Sequence, residues 1–186
     1  MKKLPEIFPQ LTTDRLLLEP ITMDMLEDIY FLFTDPHVVR FYHVIPFSTM
    51  GKAMELIRHY HKAFKEKEGV RWAMILKGSR QVIGTIGLHH FNSSNRATFS
   101  FDISSNWWKK GFMTEAMHAV LRYAYQELEL HRIQAEVVNL KADVTAILDL
   151  FGFVKEGLLR DWQRQNDVYE DMHVYALLRH EYGRGA

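Results

Sequence analysis

The sequence contains no cysteine. That excludes a disulfide framework, a thiolate nucleophile and any cysteine-based metal site. An excess of one charge is missing as well, since 23 Lys and Arg balance 23 Asp and Glu. Without an overall basic field, a nucleic-acid partner is not expected. Long apolar runs are absent too. Apolar runs such as Met74-Ile75-Leu76 and Ala146-Ile147-Leu148 fall far short of the ~18 residues of a membrane span, so no membrane partner is expected. The charged start Met1-Lys2-Lys3, broken by Pro5 and Pro9, lacks the apolar run of about 7–15 residues of a signal peptide, and a cytoplasmic location is the resulting expectation. No repeat, low-complexity tract or Gly/Ser/Pro linker interrupts the chain, so residues 1–186 are expected to form a single domain. A hydrophobic content of 47% is enough to fill its core and argues against disorder.

What is present reads as alternating elements. Arg15-Leu16-Leu17-Leu18-Glu19 is a short strand, followed by a helix from Thr22 to Phe33 with Thr22 as its N-cap. Between Gly51 and Glu68, Ala53, Leu56, Ile57, Tyr60, Ala63 and Phe64 recur at helical spacing, with Gly69 expected as the C′ glycine. Three strands follow, from Val70, from Val82 to His89 and from Ala97 to Ile103, as an antiparallel meander. A helix from Phe112 to Glu129, a strand from Ile133 to Val138, a short helix from Asp143 to Phe151 ended by Gly152, and strands near Phe153–Trp162 and Val168–Leu178 complete the chain. This order predicts an α/β fold with a mixed, partly antiparallel central sheet and helices on both faces.

The chemically informative segment is Ser104-Ser105-Asn106-Trp107-Trp108-Lys109-Lys110-Gly111-Phe112-Met113-Thr114-Glu115, which leaves a strand and starts a helix. First-turn amides have no partner inside a helix and point outward with the positive end of its dipole, so the junction suits a phosphate. Gly111 can take positive φ and let an oxygen approach the backbone, while Lys109 and Lys110 add charge.

In its wider context, Phe101 to Ala116 resembles the strand, loop and helix start that hold the coenzyme in the GNAT acyl-CoA N-acetyltransferase superfamily. Leu11-Thr12-Thr13-Asp14-Arg15-Leu16, Leu130-His131-Arg132-Ile133 and Gly152-Phe153-Val154-Lys155-Glu156-Gly157 resemble three further segments of it, and within it the chain is most similar to the branch that acetylates N-terminal alanines of ribosomal proteins. The resemblance implies a sheet splayed between its fourth and fifth strands, with the pantetheine of acetyl-CoA against the backbone of Phe101 to Ile103. It implies a pyrophosphate cradled by amides from Lys109 through Lys110, Gly111, Phe112 and Met113 to Thr114, with Lys141 as a further coenzyme contact. The amine acceptor, a protein N-terminus or a small amine, would enter from the other side, near Arg40, Phe41 and Tyr42. The protein would act as a monomer or homodimer. Three departures accompany this: Lys109 stands where the family has glycine, and Lys141 and Val144 stand where it has Asn and Ser.

Acetyl transfer from a thioester needs a neutral amine. An α-amine with pKa about 8 loses its proton at pH 7 for about 1.4 kcal/mol, against over 4 kcal/mol for a lysine with pKa about 10.4. Direct attack with a carboxylate or water chain taking the proton therefore suffices, and the lack of cysteine favours it over a covalent route. The candidates for the base are Asp102 and Asp161. Asp102 projects from the strand face opposite Phe99, Phe101 and Ile103, where a salt bridge is the bland alternative. Glu115 and Asp171 read as structural acids. No metal is expected, because His59 and His61 diverge on a helix and His89 and His90 face opposite sides of a strand. Trp107 and Trp108 read as packing residues. The alternative to an enzyme is a non-catalytic acyl-CoA-binding or regulatory module of the same fold, raised by the three departures.

Overall fold

The computed structural model describes residues 4–39, 46–138, 142–165 and 167–183. Its strands form one sheet in the order β1-β2-β3-β4-β5-β6-β8-β7. They are β1 (Leu11–Thr12), β2 (Leu16–Pro20), β3 (Gly69–Leu76), β4 (Val82–His89), β5 (Arg96–Ile103), β6 (Arg132–Val138), β7 (Val154–Gln165) and β8 (Val168–Leu178). Every neighbouring pair is antiparallel except β5 and β6, which run parallel because α4 (Phe112–Arg122) carries the chain across. The expected mixed α/β sheet with helices on both faces is what forms.

Alternation along β3 explains the two layers. Trp72 and Met74 face the core beneath α4, with Leu16, Leu18 and Val120. Ala73 and Ile75 face the other way, against Ile29 and Leu32 of α1 (Leu26–Thr34) and Ile57 of α3 (Met50–Lys65). Between them α2 (Pro36–Val39) is a single turn. It starts on a proline, and the Asp35 carboxylate accepts the His37 amide at 2.8 Å as a helix cap does.

Two helix ends differ from expectation. Thr22 has extended backbone but makes no side-chain cap; a 3-10 turn, Met23–Met25, intervenes and α1 begins at Leu26. At the other end of α3, Glu68 N–H donates to the Ala63 carbonyl at 2.8 Å and Lys67 N–H to that of Phe64 at 3.1 Å. That is a Schellman closure, with Lys67 at φ +63° in the place expected of Gly69. Gly69 instead opens β3, where a Cβ would lie 3.2 Å from the Leu88 carbonyl oxygen of β4. In α5 (Ala142–Leu150) the same closure does use glycine, Gly152 at φ +79°.

The splay lies where β5 and β6 part, the fourth and fifth strands of the sequence reading, because Leu11–Thr12 pairs with β2 and adds a strand ahead of them. Their register runs from Arg96↔Arg132 to Phe99↔Ala135 and stops, although β5 stays paired with β4 as far as Ile103 and β6 with β8 as far as Val138. Ser104 N–H donates to the Ile83 carbonyl of β4 at 2.8 Å. Amide direction alternates along a strand, so the N–H groups of Phe101 and Ile103 point into the gap.

Candidate active site

The gap opens into a cavity of about 430 Å³. On one side it is lined by Phe99 to Ile103, on the other by Ala135 to Val138, and it continues to Val144, Ile147 and Leu150 of α5. Lys109, Gly111, Phe112, Met113 and Thr114 close one end. The structure thus brings together Phe101, Asp102, Ile103, Lys109 and Gly111 to Thr114, and places Val144 opposite them. Lys110 is not among the lining residues; its ammonium lies 4.7 Å from the centre of the Trp107 ring. Arg40, Phe41, Tyr42 and Lys141 lie outside the described residues.

The turn into α4 has the backbone that anion binding requires. Gly111 is the N-cap at φ +79°, ψ 0°, with no side-chain cap, so the first amides of α4 are left for an outside acceptor. Lys109 has φ +58°, so the lysine takes the left-handed backbone that glycine would favour at this position. The loop is fixed from below. Glu115, in the first turn of α4, accepts the Arg15 amide at 2.7 Å and its Nε at 2.6 Å, and also the Thr13 hydroxyl. Arg15 continues to the Lys110 carbonyl at 3.0 Å and stacks 4.1 Å from the centre of Phe112. Burial pushes the Glu115 carboxyl up, but the bonds from Thr13 and Arg15 outweigh it and hold the group below the ordinary range. This carboxylate ties the β1–β2 turn to the helix start. A second tie comes from the 3-10 turn Ser105–Trp107, where the Ser105 hydroxyl donates to Asp35 at 2.6 Å.

Asp102 is buried on the opposite face of β5. Its Oδ1 accepts the Thr85 amide at 3.0 Å, and its Oδ2 accepts the Thr85 hydroxyl at 2.8 Å and Arg71 Nη2. Arg71 donates in turn through Nε to Thr85 Oγ1 and through Nη1 to Ser100 Oγ, both at 2.7 Å. Ser100 lies 3.4 Å from His89 Nδ1. A polar ladder therefore crosses β3, β4 and β5 directly behind the cavity. Sequence reasoning missed Arg71, Thr85 and Ser100. The signal was available, because Thr98, Ser100 and Asp102 alternate with Phe99, Phe101 and Ile103, and Arg71 interrupts an apolar strand.

Asp161 lies elsewhere, exposed on β7 at φ +51° and outside this cavity's lining, with its amide donating to Asp171 at 2.9 Å. Asp171 thus closes an irregularity in the β7–β8 pairing. Among the described residues no three His, Cys, Asp or Glu gather as metal ligands.

A family model for the acetyltransferase (GNAT) domain matches residues 15–154. The chain is 33% identical over 174 residues to the uncharacterized N-acetyltransferase YoaA of Bacillus subtilis (strain 168), covering 93% of this chain and 98% of that one. It is 31% identical over 98 residues, half of each chain, to the ribosomal protein uS5-alanine N-acetyltransferase of Escherichia coli (strain K12). The fold matches that of Mycobacterium smegmatis RimJ in complex with CoA-disulfide at a TM-score of 0.84, with 16% identity, covering 95% of this chain and 90% of that one.

Proposed function

The chain belongs to the GNAT acetyltransferase family and is an acyltransferase, and on that premise we propose that it moves the acetyl group of acetyl-CoA to a primary amine. The observation that carries this reading is the meeting, in one cavity, of the stretch of β5 that has parted from β6 and a helix start with no side-chain cap. An extended arm bearing amides suits the edge at Phe101 and Ile103, and a pyrophosphate suits the amides from Lys109 to Thr114. In this reading Lys109 adds charge without losing the backbone shape, Lys110 stands beside it, and Lys141 supplies a contact farther along the coenzyme. Arg40, Phe41 and Tyr42 are proposed to meet the acceptor.

The amine attacks the thioester carbonyl directly, and the coenzyme leaves as its thiol. Asp102 enters as the anchor of a proton relay rather than as an open base, since Arg71 and Thr85 already occupy its oxygens. Asp161 is the second candidate. An α-amine, which is about one-tenth neutral at pH 7, asks least of such a relay. N-acetyltransferase relatives favour the enzyme over the non-catalytic acyl-CoA-binding module.

The test is incubation with acetyl-CoA and a panel of α-amine peptides, lysine peptides and alkylamines, with released thiol measured. The chain has no cysteine, so a thiol reagent reads coenzyme alone. Turnover with at least one amine, fastest near neutral pH with an α-amine, is the expected result. A thermal shift with acetyl-CoA but no thiol released with any amine would overturn the enzymatic reading.

A further inference from the structure

The two strands that part to form the donor cavity rejoin at its inner end, and the last pair before the gap is unequal. Phe99 of β5 stands opposite Ala135 of β6. Both are buried in the core beneath α4, and both line the cavity. Ala135 is the exception in its strand. Its neighbours on the same face, Ile133 and Val137, are β-branched as a strand favours, and their side chains are larger by about two or three carbon atoms.

Phe99 is held from both sides. Its ring centre lies 5.6 Å from that of Phe101, tilted, and 6.3 Å from that of Phe153, stacked. Phe153 is fixed in turn by the closure of α5, where its amide donates to the Leu148 carbonyl at 3.0 Å. A clamped ring opposite a one-carbon side chain makes a small apolar pocket with a hard wall, because a packed interior yields little.

The direction of the donor follows from the order of the elements. The α4 start that suits the pyrophosphate comes after the C-terminal end of β5, so an arm laid along β5 from Ile103 runs back toward Phe99, and its reacting end meets this pair. We propose that Phe99 and Ala135 fix the length of the acyl group that is transferred, admitting an unbranched chain of two or three carbons and rejecting butyryl and longer chains. The space beside Ala135 takes the methyl end, and the Phe99 ring closes it. The proposal rests on the acyltransfer reading and adds a limit on the donor to it. A methylene too many must displace the ring or lift the thioester carbonyl from its place, which costs roughly tenfold or more in kcat/KM.

The test compares CoA, acetyl-CoA and butyryl-CoA on wild-type protein, Phe99→Ala, Phe99→Leu and Ala135→Leu. Dissociation constants are measured by calorimetry without amine, and kcat/KM by thiol release with an amine that the wild type accepts. In the wild type, butyryl-CoA is expected to bind at least tenfold more weakly than acetyl-CoA and to have a kcat/KM about 10²-fold lower, for its two extra methylenes. Phe99→Ala is expected to bring the two donors within about tenfold of each other in kcat/KM and to equalise their binding, because it opens the wall. Ala135→Leu should weaken acetyl-CoA at least tenfold while CoA, which carries no acyl group, binds as it does to the wild type. Phe99→Leu, shorter and still apolar, decides the matter should Phe99→Ala fail to fold. A wild type that handles butyryl-CoA as well as acetyl-CoA, a wild-type ratio kept in a folded Phe99 variant, or equal weakening of CoA and acetyl-CoA in a folded Ala135→Leu would overturn the proposal. A wild type that releases no thiol from any donor, yet binds the acyl donors in the expected order and loses that order in the Phe99 variants, would instead overturn the enzymatic reading and leave the pocket standing.

Discussion

At the scale of single residues, two carboxylates carry different burdens. Glu115 joins the β1–β2 turn to α4, and its pKa is held below the ordinary value. A carboxyl whose folded pKa is depressed adds stability above its unfolded pKa, near 4.5, and loses it as pH falls through the folded value. Glu115→Gln is therefore expected to lower unfolding stability at pH 7 by roughly 1.5–3 kcal/mol, the worth of hydrogen bonds to a charged group. The deficit should close as denaturant titrations are repeated at progressively lower pH below 4.5; a constant deficit would assign the effect to packing. Asp102 neutralises Arg71 in a buried setting, with its side chain 0% exposed. Replacing it leaves an uncompensated cation, so Asp102→Asn is expected to cost roughly 3–5 kcal/mol of stability. If the ladder also relays a proton, turnover falls by about 10²-fold, and rising pH restores it as the amine deprotonates unaided. A turnover loss that stays constant from pH 7 to 10 would leave Asp102 a purely structural role.

At the scale of elements, the start of α4 is the part most exposed to backbone change. Any side chain at Gly111 must adopt φ +79°, which costs roughly 1–2 kcal/mol, and its Cβ lies 3.4 Å from Arg15 Nη2. Gly111→Val is expected to lower the unliganded Tm and to abolish the rise given by acetyl-CoA, both read in one thermal scan. A preserved rise would move the phosphate site away from this turn. Elements were legible in the sequence where side-chain chemistry dictates them. Alternation of Val70, Trp72, Met74 and Leu76 marked β3 as a strand, and Gly152 marked the end of α5 because glycine suits a left-handed residue. Lys67 makes the same closure without that signal, since tertiary packing of α3 onto β3 imposes the conformation. The site divides in the same way. Gly111 and its amides were readable because the chemistry is local. The ladder from Asp102 through Arg71 to Ser100 was not, because strand pairing brings residues 71, 85, 100 and 102 together, and only the register reveals it.

At the scale of the whole molecule, β5 and β6 pair along four residues among those described, Arg96–Phe99 with Arg132–Ala135, and the Asn95 carbonyl just ahead of them accepts the His131 amide. The amides of Phe101 and Ile103 face the gap, whereas Asp102 N–H is directed to β4. Hydrogen exchange should therefore be faster at Ile103 than at Asp102 in the unliganded protein, and saturating acetyl-CoA should slow Ile103 selectively. Uniform slowing along β5 would mean that the donor does not lie along this edge. The splay has a mechanical consequence as well. A sheet closed by four pairs is a clasp fastened at one end, and a donor lying along its free edge fastens the other. The stiffness of the protein then depends on how much donor is bound, and each turnover that expels the spent coenzyme loosens the same seam that the next donor must refasten.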